Sequence, residues 1–331
     1  MGKEGSVVME NMGMVQADSG GGGAPLAEKG SFWRKLIQQR QLLFMILPFV
    51  AYIFLFSYAP LWGWSMAFQN YKPGREVQDW VGLYQFRFLF MDDTFLEVLR
   101  NTLSMSVINL VSGTLTTLLF TLLLNEMRTG IFKRVIQTVS YLPHFLSWVI
   151  VASLVSNILS IRADGILNEI LVKLGIIKEP ILWLGNPKYF WTIVAVSHIW
   201  KNLGWNSIIY LSAISSIDPE LYEAAEIDGA NRYHRMWHIT LPGIRPTIVV
   251  ILIMNVGWLL NAGFEIQYLL GSTGAVVRVS RTIDIFVLRY GIELNNYSLA
   301  TAAGMFKTLV SLIMIMGTNW VTKKLGAGGL L

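Results

Sequence analysis

Three stretches of the chain run through a bilayer's thickness of apolar residues without a charge. No Asp, Glu, Lys or Arg occurs between Arg40 and Lys72, between Arg100 and Glu126, or between Arg134 and Arg162. A helix needs about 20 apolar residues to cross the hydrocarbon core, so each window predicts one span, at 42–64, 102–124 and 136–159. Three further apolar stretches, 190–213, 246–268 and 298–320, are each broken by one ionisable residue: Lys201, Glu265 and Lys307. The pattern predicts an all-α integral membrane protein with six transmembrane helices, and an even number puts both termini on one side.

The connecting segments then fall into two groups. Segments 65–101, 160–189 and 269–297 share the side opposite the termini, and each is long enough for a short surface helix. Asp164-Gly165-Ile166-Leu167-Asn168, followed by Leu171 and Leu174, predicts a turn leading into one. On the side of the termini, 125–135 is a tight basic turn, whereas 214–245 is long, and a long loop in a compact protein calls for a task. Residues 1–30, with the run Ser19-Gly20-Gly21-Gly22-Gly23-Ala24-Pro25, predict a disordered tail. Residues 31–325 form the transmembrane domain, and 326–331 a short second tail. The first apolar run is followed by no small-residue cleavage site, so it is expected to remain as an anchor.

Composition narrows the class. Of 331 residues 53% are hydrophobic and only 14% are charged, against roughly 25% charged in soluble domains. The absence of cysteine excludes disulfide frameworks, thiolate zinc sites and cysteine nucleophiles. A net charge of +5 is too small and scattered for nucleic-acid binding. Lys and Arg summed over all loops are nearly even between the two sides. The local flanks are not: Arg34, Lys35 and Arg40 precede span one, Lys133 and Arg134 precede span three, and Lys323 and Lys324 follow span six. Positive charge close to the spans marks the cytoplasmic side, which places both termini there.

The long cytoplasmic loop opens with a well-specified helix. Asp218 can cap its free N–H groups, Pro219 suits the first helical position, and Gly229 suits the left-handed terminating position. Glu220 and Glu223 lie near the positive end of the helix dipole. Leu221, Ala224, Ala225 and Asp228 share one face, where two small side chains permit close approach. A second helix is expected from Arg232 to Thr240, separated from span five by Pro242 and Pro246. On these grounds alone, the loop is either a solvated connector or a docking element.

The residues Glu223-Ala224-Ala225, then three residues, Gly229, nine residues, and Ile239-Thr240-Leu241-Pro242 reproduce the EAA loop of bacterial ABC-importer permeases without a gap. Ile217 to Tyr222 and Asp228 to Arg232 resemble the carbohydrate branch of that family. Tyr141 to Trp148, Asn101-Thr102-Leu103, and Tyr297 to Ala302 through Phe306-Lys307 look like its LplB-type subgroup, associated with uptake of oligosaccharides derived from polysaccharides. The likeness runs from about residue 40 to 325. It departs at Phe264-Glu265-Ile266-Gln267, where the family places Gln directly after Glu. The resemblance implies a subunit of a type I importer in the bacterial cytoplasmic membrane and no enzymatic activity in this chain. It also implies a second related permease, two cytoplasmic ATPases that hydrolyse ATP with Mg, and an extracytoplasmic sugar-binding protein. Glu223, Ala224, Ala225, Asp228, Gly229, Ile239, Leu241 and Pro242 would then form the ATPase-coupling loop, with Pro219–Asp228 as the coupling helix.

Other chemistry is sparse. His234 and His238 have zincin spacing, but the residue after the first is Arg235, which offers no lone pair. No G-x-x-x-x-G-K-[ST] occurs, so this chain holds no phosphate-binding loop of its own, and neither a cofactor nor a metal is expected in it. Asp92-Asp93 reads as solvated loop, because adjacent side chains diverge. Two alternatives remain: a proton-coupled secondary transporter, or an intramembrane enzyme of sugar-lipid metabolism. A charge near the bilayer centre costs at least about 2.5 kcal/mol and normally faces a cavity or a partner. Lys201 with Asn202, Asn255 with Asn261, and Glu265 and Lys307 are therefore candidates for a substrate pathway. The competing reading is structural, with Glu265 pairing with a Lys to hold the subunit together. Pro48, Pro60 and Pro143 are expected to kink spans one and three.

Overall fold

In a computed structural model of the chain, residues 39–162, 165–272 and 274–324 are described. The tails expected at 1–30 and 326–331, and Asp164 of the expected turn, lie outside the described residues.

The chain divides into two compact units, Met1–Leu61 and Trp62–Leu331. In the first, α1 (Arg40–Ile53) carries Pro48 in its interior and has no buried residue. Helical backbone continues through one wide turn, Phe54–Tyr58, and into a tighter 3₁₀ run holding Pro60. Past Gln41 the side chains of α1 are apolar on every face and none is buried, which is the pattern of a helix surrounded by lipid.

The second unit takes in the end of that 3₁₀ run, where Ala67 is buried, and then a hairpin of two-residue strands, β1 (Gln69–Asn70) and β2 (Asp79–Trp80), antiparallel with Gln69 opposite Trp80. Next come α2 (Tyr84–Met91) and α3 (Asp93–Glu126). The Asp92 carboxylate caps α3 by accepting from the Thr94 N–H at 2.8 Å, so the helix starts nine residues before the expected span. At 34 residues it is about 50 Å long. Beside it runs α7 (Pro187–Ser215), capped by Asn186 and opened by Pro187. The last helix, α14 (Tyr297–Lys324), packs on α10 (Arg245–Gly257), on α13 (Ile283–Leu288) and on α2. The surface helix expected after Gly165 forms as α6 (Ile166–Lys173). The segment 269–297 holds α12 (Val277–Ser280) and α13.

Among the described residues three helices, Arg40–Phe68, Asp93–Glu126 and Tyr297–Lys324, are long and apolar enough to cross a membrane singly. Expected spans three and five are not single helices. Span three is α4 (Ile131–Tyr141), a 3₁₀ turn over Leu142–Phe145, and α5 (Trp148–Ile158), with the two arms meeting at 106°. Pro143 lies in that turn and supplies no N–H to continue the helix. Span five begins with α10, which a helical run over Arg232–Gly243 meets at 57°. It stops again at Trp258 and resumes as α11 (Phe264–Gly271) after Gly263, whose φ of +85° suits a residue without Cβ. Pro242 therefore lies inside the helical run, and Ile244 makes the break. The 29-residue α7 is long enough to cross, but its Lys and Asn residues keep it outside the group that is apolar throughout.

Three buried clusters hold the second unit together. One joins Phe95 and Val98 of α3 to Phe286 and Leu299, a second joins Met105 to Phe190, Val194 and Ile266, and a third joins Leu122 to Tyr210, Ile214 and Ile244. Gly204 lets α7 meet α4 closely, since a Cβ there would lie 2.2 Å from the Ser140 carbonyl oxygen.

Candidate functional site

Two features stand apart from ordinary packing: the projecting loop after α7 and a polar cavity among α3, α7 and α10. In the loop, α8 (Pro219–Ile227) is capped by Asp218, whose Oδ1 accepts from the Glu220 N–H at 3.0 Å. Its end is a two-bond reverse turn: the Ala230 N–H donates to the Ala225 carbonyl at 2.8 Å and the Gly229 N–H to Glu226 at 3.1 Å. Gly229 holds φ +79°, with open space where a side chain would stand. Asn231 caps the next helix, α9 (Arg232–Arg235), through the His234 N–H. A wide turn over Met236–Thr240 then brings Thr240 back to α8, where its Oγ1 lies 3.0 Å from the Tyr222 hydroxyl. Arg235 pairs with Glu226 at 2.8 Å. These two ties lock the helices together, and Ile217 and Ile244 root them in the bundle.

Glu223, Ala224 and Asp228 are exposed, whereas Ala225 and Ile239 are half-buried. Pro242 is exposed and Leu241 half-buried at the base of the loop. Large apolar side chains are also uncovered, with Ile227 at 87% and Tyr233 at 74% of full exposure. His234 and His238 stack at 4.0 Å, and no group of three metal-ligating side chains occurs among the described residues.

The cavity occupies 340 Å³. Ser106, Asn109, Gly113 and Thr117 of α3 line one wall, His198, Asn202, Asn206 and Tyr210 of α7 another, and Asn255, Trp258 and Asn261 a third. No Asp, Glu, Lys or Arg lines it. The Ser106 Oγ and Asn109 Oδ1 are buried and have no hydrogen-bond partner among the described residues. Part of the amide set is already engaged, because Asn202 donates to the His198 carbonyl at 3.0 Å and its Oδ1 lies 3.3 Å from His144 Nδ1. The His144 ring lies flat on Trp205 at 4.4 Å. Uncharged donors and acceptors beside aromatic faces match a ligand rich in hydroxyls.

Of the pathway candidates, Asn202, Asn255 and Asn261 line this cavity, and Lys201, Glu265 and Lys307 do not. Lys201 instead turns to the break in span three, where its ammonium donates to the carbonyls of His144 and Leu146 at 2.6 Å each and of Pro143 at 3.4 Å. Water cannot satisfy such carbonyls inside a bilayer, so this cation takes its place. Glu265 is exposed in the first turn of α11. The expected pairing of Glu265 with a lysine is corrected for Lys307, which pairs with Asp284 at 2.5 Å and also donates to Asn261 Oδ1. Sequence reasoning missed Ser106, Asn109, Thr117 and His198 as cavity wall. Their signal was a polar stripe at helical spacing within α3 and α7, spans otherwise apolar.

Bent apolar helices around a polar cavity, with a braced loop projecting from one end, define a membrane-embedded transport protein. The profile of one family, described as binding-protein-dependent transport system inner membrane component, matches residues 110–326. The chain belongs to that family. It is 45% identical over 299 residues to the polygalacturonan/rhamnogalacturonan transport system permease protein YteP of Bacillus subtilis, covering 89% of this chain and 92% of that one. It is 40% identical to the protein LplB of the same organism, over 92% and 95% of the two chains. Its fold matches a chain in a crystal structure of a bacterial alginate ABC transporter in complex with an alginate pentasaccharide-bound periplasmic protein. That match has a TM-score of 0.83 at 35% identity and covers 90% of this chain and 99% of that one. The chain is thus a permease subunit of a sugar ABC importer, a transporter component. Membership of a binding-protein-dependent family sets aside both the proton-coupled transporter and the sugar-lipid enzyme.

Proposed function

We propose that the chain forms one half of the pathway of an ATP-driven importer for an oligosaccharide released from a polysaccharide. The cavity carries this reading: its wall is uncharged and amide-rich, and it contains two buried oxygens without partners. Sugar hydroxyls both donate and accept, so they can answer Ser106 Oγ and Asn109 Oδ1 while a ring lies against Trp258. The similarity to permeases named for polygalacturonan and to a transporter of alginate supports an oligosaccharide cargo.

Six crossings are proposed for the transmembrane domain: Arg40–Phe68, α3, the bent α4–α5 pair, α7, α10 with the start of α11, and α14. Both termini and the α8 loop then face the cytoplasm. There the α8 surface, with Glu223 and the two small alanines, seats in a groove on an ATPase, and Ile227 and Tyr233 are covered on docking. A second permease completes the pathway, two ATPases hydrolyse ATP with Mg, and an external binding protein delivers the sugar. ATP-driven closure of the ATPases pulls on α8. The ties Tyr222–Thr240 and Arg235–Glu226 transmit that movement to the helical run that continues into α10, which bears Asn255 of the cavity wall.

The natural chain has no cysteine, so a single introduced thiol reports its own neighbours. With A224C in the assembled transporter, a short bifunctional reagent is expected to join this chain to the ATPase subunit. Glu223→Lys is expected to loosen ATPase co-purification in detergent. An A224C chain that cross-links only to the external binding protein places the loop on the wrong side and defeats the reading.

A further inference from the structure

A second, smaller pocket lies away from the cavity, between the start of α3 and one face of α13. It occupies 130 Å³ and is lined by Thr94, Arg281, Ile285, Arg289 and Tyr290 among others, with no acidic side chain. Arg281 lies in the extended link just before α13, Ile285 within α13, and Arg289 in the wide turn just after it, and all three line the pocket. The Arg281 Nε is buried and has no hydrogen-bond partner among the described residues. Arg281 is also held in place: its carbonyl accepts from Asn101 Nδ2 at 3.2 Å, and two residues on, the Ile283 N–H donates to Thr102 Oγ1 at 3.0 Å. The nearby carboxylate of Glu97 is already engaged by Arg278. Glu293 stands 4.0 Å from the Arg289 Nε along the helix and does not line the pocket.

Two arginines lining one small space, one of them with an unused buried donor, call for a carboxylate, which guanidinium binds through paired hydrogen bonds. The volume suits one acidic side chain and falls well below the roughly 300 Å³ at which ligand clefts begin. The pocket lies in segment 269–297, which the proposed orientation puts on the outer face. We infer that Arg281 and Arg289 form a socket for an Asp or Glu side chain of the external sugar-binding protein, fixing that protein over the pathway. This inference rests on the proposed importer function and adds to it the chemistry by which the partner is held.

The test uses the assembled transporter in phosphatidylcholine nanodiscs and measures its affinity for the fluorescently labelled binding protein at low and high salt. R281Q with R289Q is expected to weaken binding by about tenfold or more and to flatten the salt dependence. K173Q, which removes an exposed cation from α6, is expected to leave binding within about twofold. Melting of the purified assembly checks that each variant is intact, and if R281Q fails to assemble, the exposed Arg289 alone carries the test through R289Q. Unchanged affinity in R289Q, or an equal loss in K173Q, overturns the socket. So does a loss that appears only when anionic lipid replaces phosphatidylcholine, since the pocket would then serve lipid. If the unaltered assembly shows no binding-protein affinity at all, the importer reading itself fails, a result distinct from failure of the socket.

Discussion

Replacing Lys201 with Met removes the ammonium that satisfies the bend of span three while keeping most of the apolar stem. Two hydrogen bonds of 2.6 Å, to the His144 and Leu146 carbonyls, are lost, together with a longer one of 3.4 Å to Pro143. Each buried acceptor stripped of its partner costs about 1–3 kcal/mol. Relief from burying a cation offsets part of that, leaving a net destabilisation of about 2–4 kcal/mol. For a chain of this size each kcal/mol lowers the melting temperature by about 2 °C, so a fall of roughly 4–8 °C is expected. The assay is melting of the purified assembly in nanodiscs, with amide hydrogen exchange read across residues 142–150. Lys201→Arg keeps donors at the bend and is expected to recover about half of the loss. If K201M melts within about one degree of the unaltered protein and the bend exchanges no faster, the ammonium does not hold the break.

Three further outcomes follow from the same geometry. Gly229→Val forces a β-branched residue to φ +79° with no neighbour in the way, so its cost is backbone strain of about 1–3 kcal/mol confined to the loop. Membrane insertion should persist while transport falls relative to ATP hydrolysis, and normal coupling would remove α8 from the transmission path. Gly204→Ala drives a Cβ to 2.2 Å from the Ser140 carbonyl oxygen, so α7 must shift from α4 and lose about 1–3 kcal/mol, read as a lower melting temperature. Lys307→Met leaves Asp284 without its cation in a partly buried site and should lower assembly yield. Asp284→Lys combined with Lys307→Asp should restore much of it, and a swap that does worse than either single change would refute a structural pair.

The form of the α8 loop was legible because its determinants are local. Asp218, Pro219, Gly229 and their spacing specify a helix, its cap and its reverse turn without help from distant residues. A kink at Pro143 was legible from the proline itself, but its 106° size was not, and neither was the break before Gly263, because apolar residues continue on both sides and a hydropathy window averages across them. What compensates the first break, Lys201, lies up to 58 residues away. Lys307 was recognised as a buried cation, but its partner was sought among residues inside expected spans. Asp284, 23 residues off, belongs to a segment that reads as an outer loop. Asn202, Asn255 and Asn261 of the cavity wall were legible as polar residues within spans, whereas Ser106 and Thr117 of α3 escaped notice because a hydroxyl side chain barely disturbs hydropathy.

The central claim is that this chain, through its uncharged cavity and its α8 loop, forms half of an ATP-driven route for oligosaccharide. Proteoliposomes holding the two permeases and two ATPases test it directly, with the cognate binding protein and radiolabelled oligosaccharide outside and ATP with Mg enclosed. Uptake should require ATP and the binding protein together, and N109A combined with N255A should reduce it while ATPase association stays intact. Uptake driven equally well by a proton gradient without ATP, or undiminished by the cavity substitutions, would contradict the account.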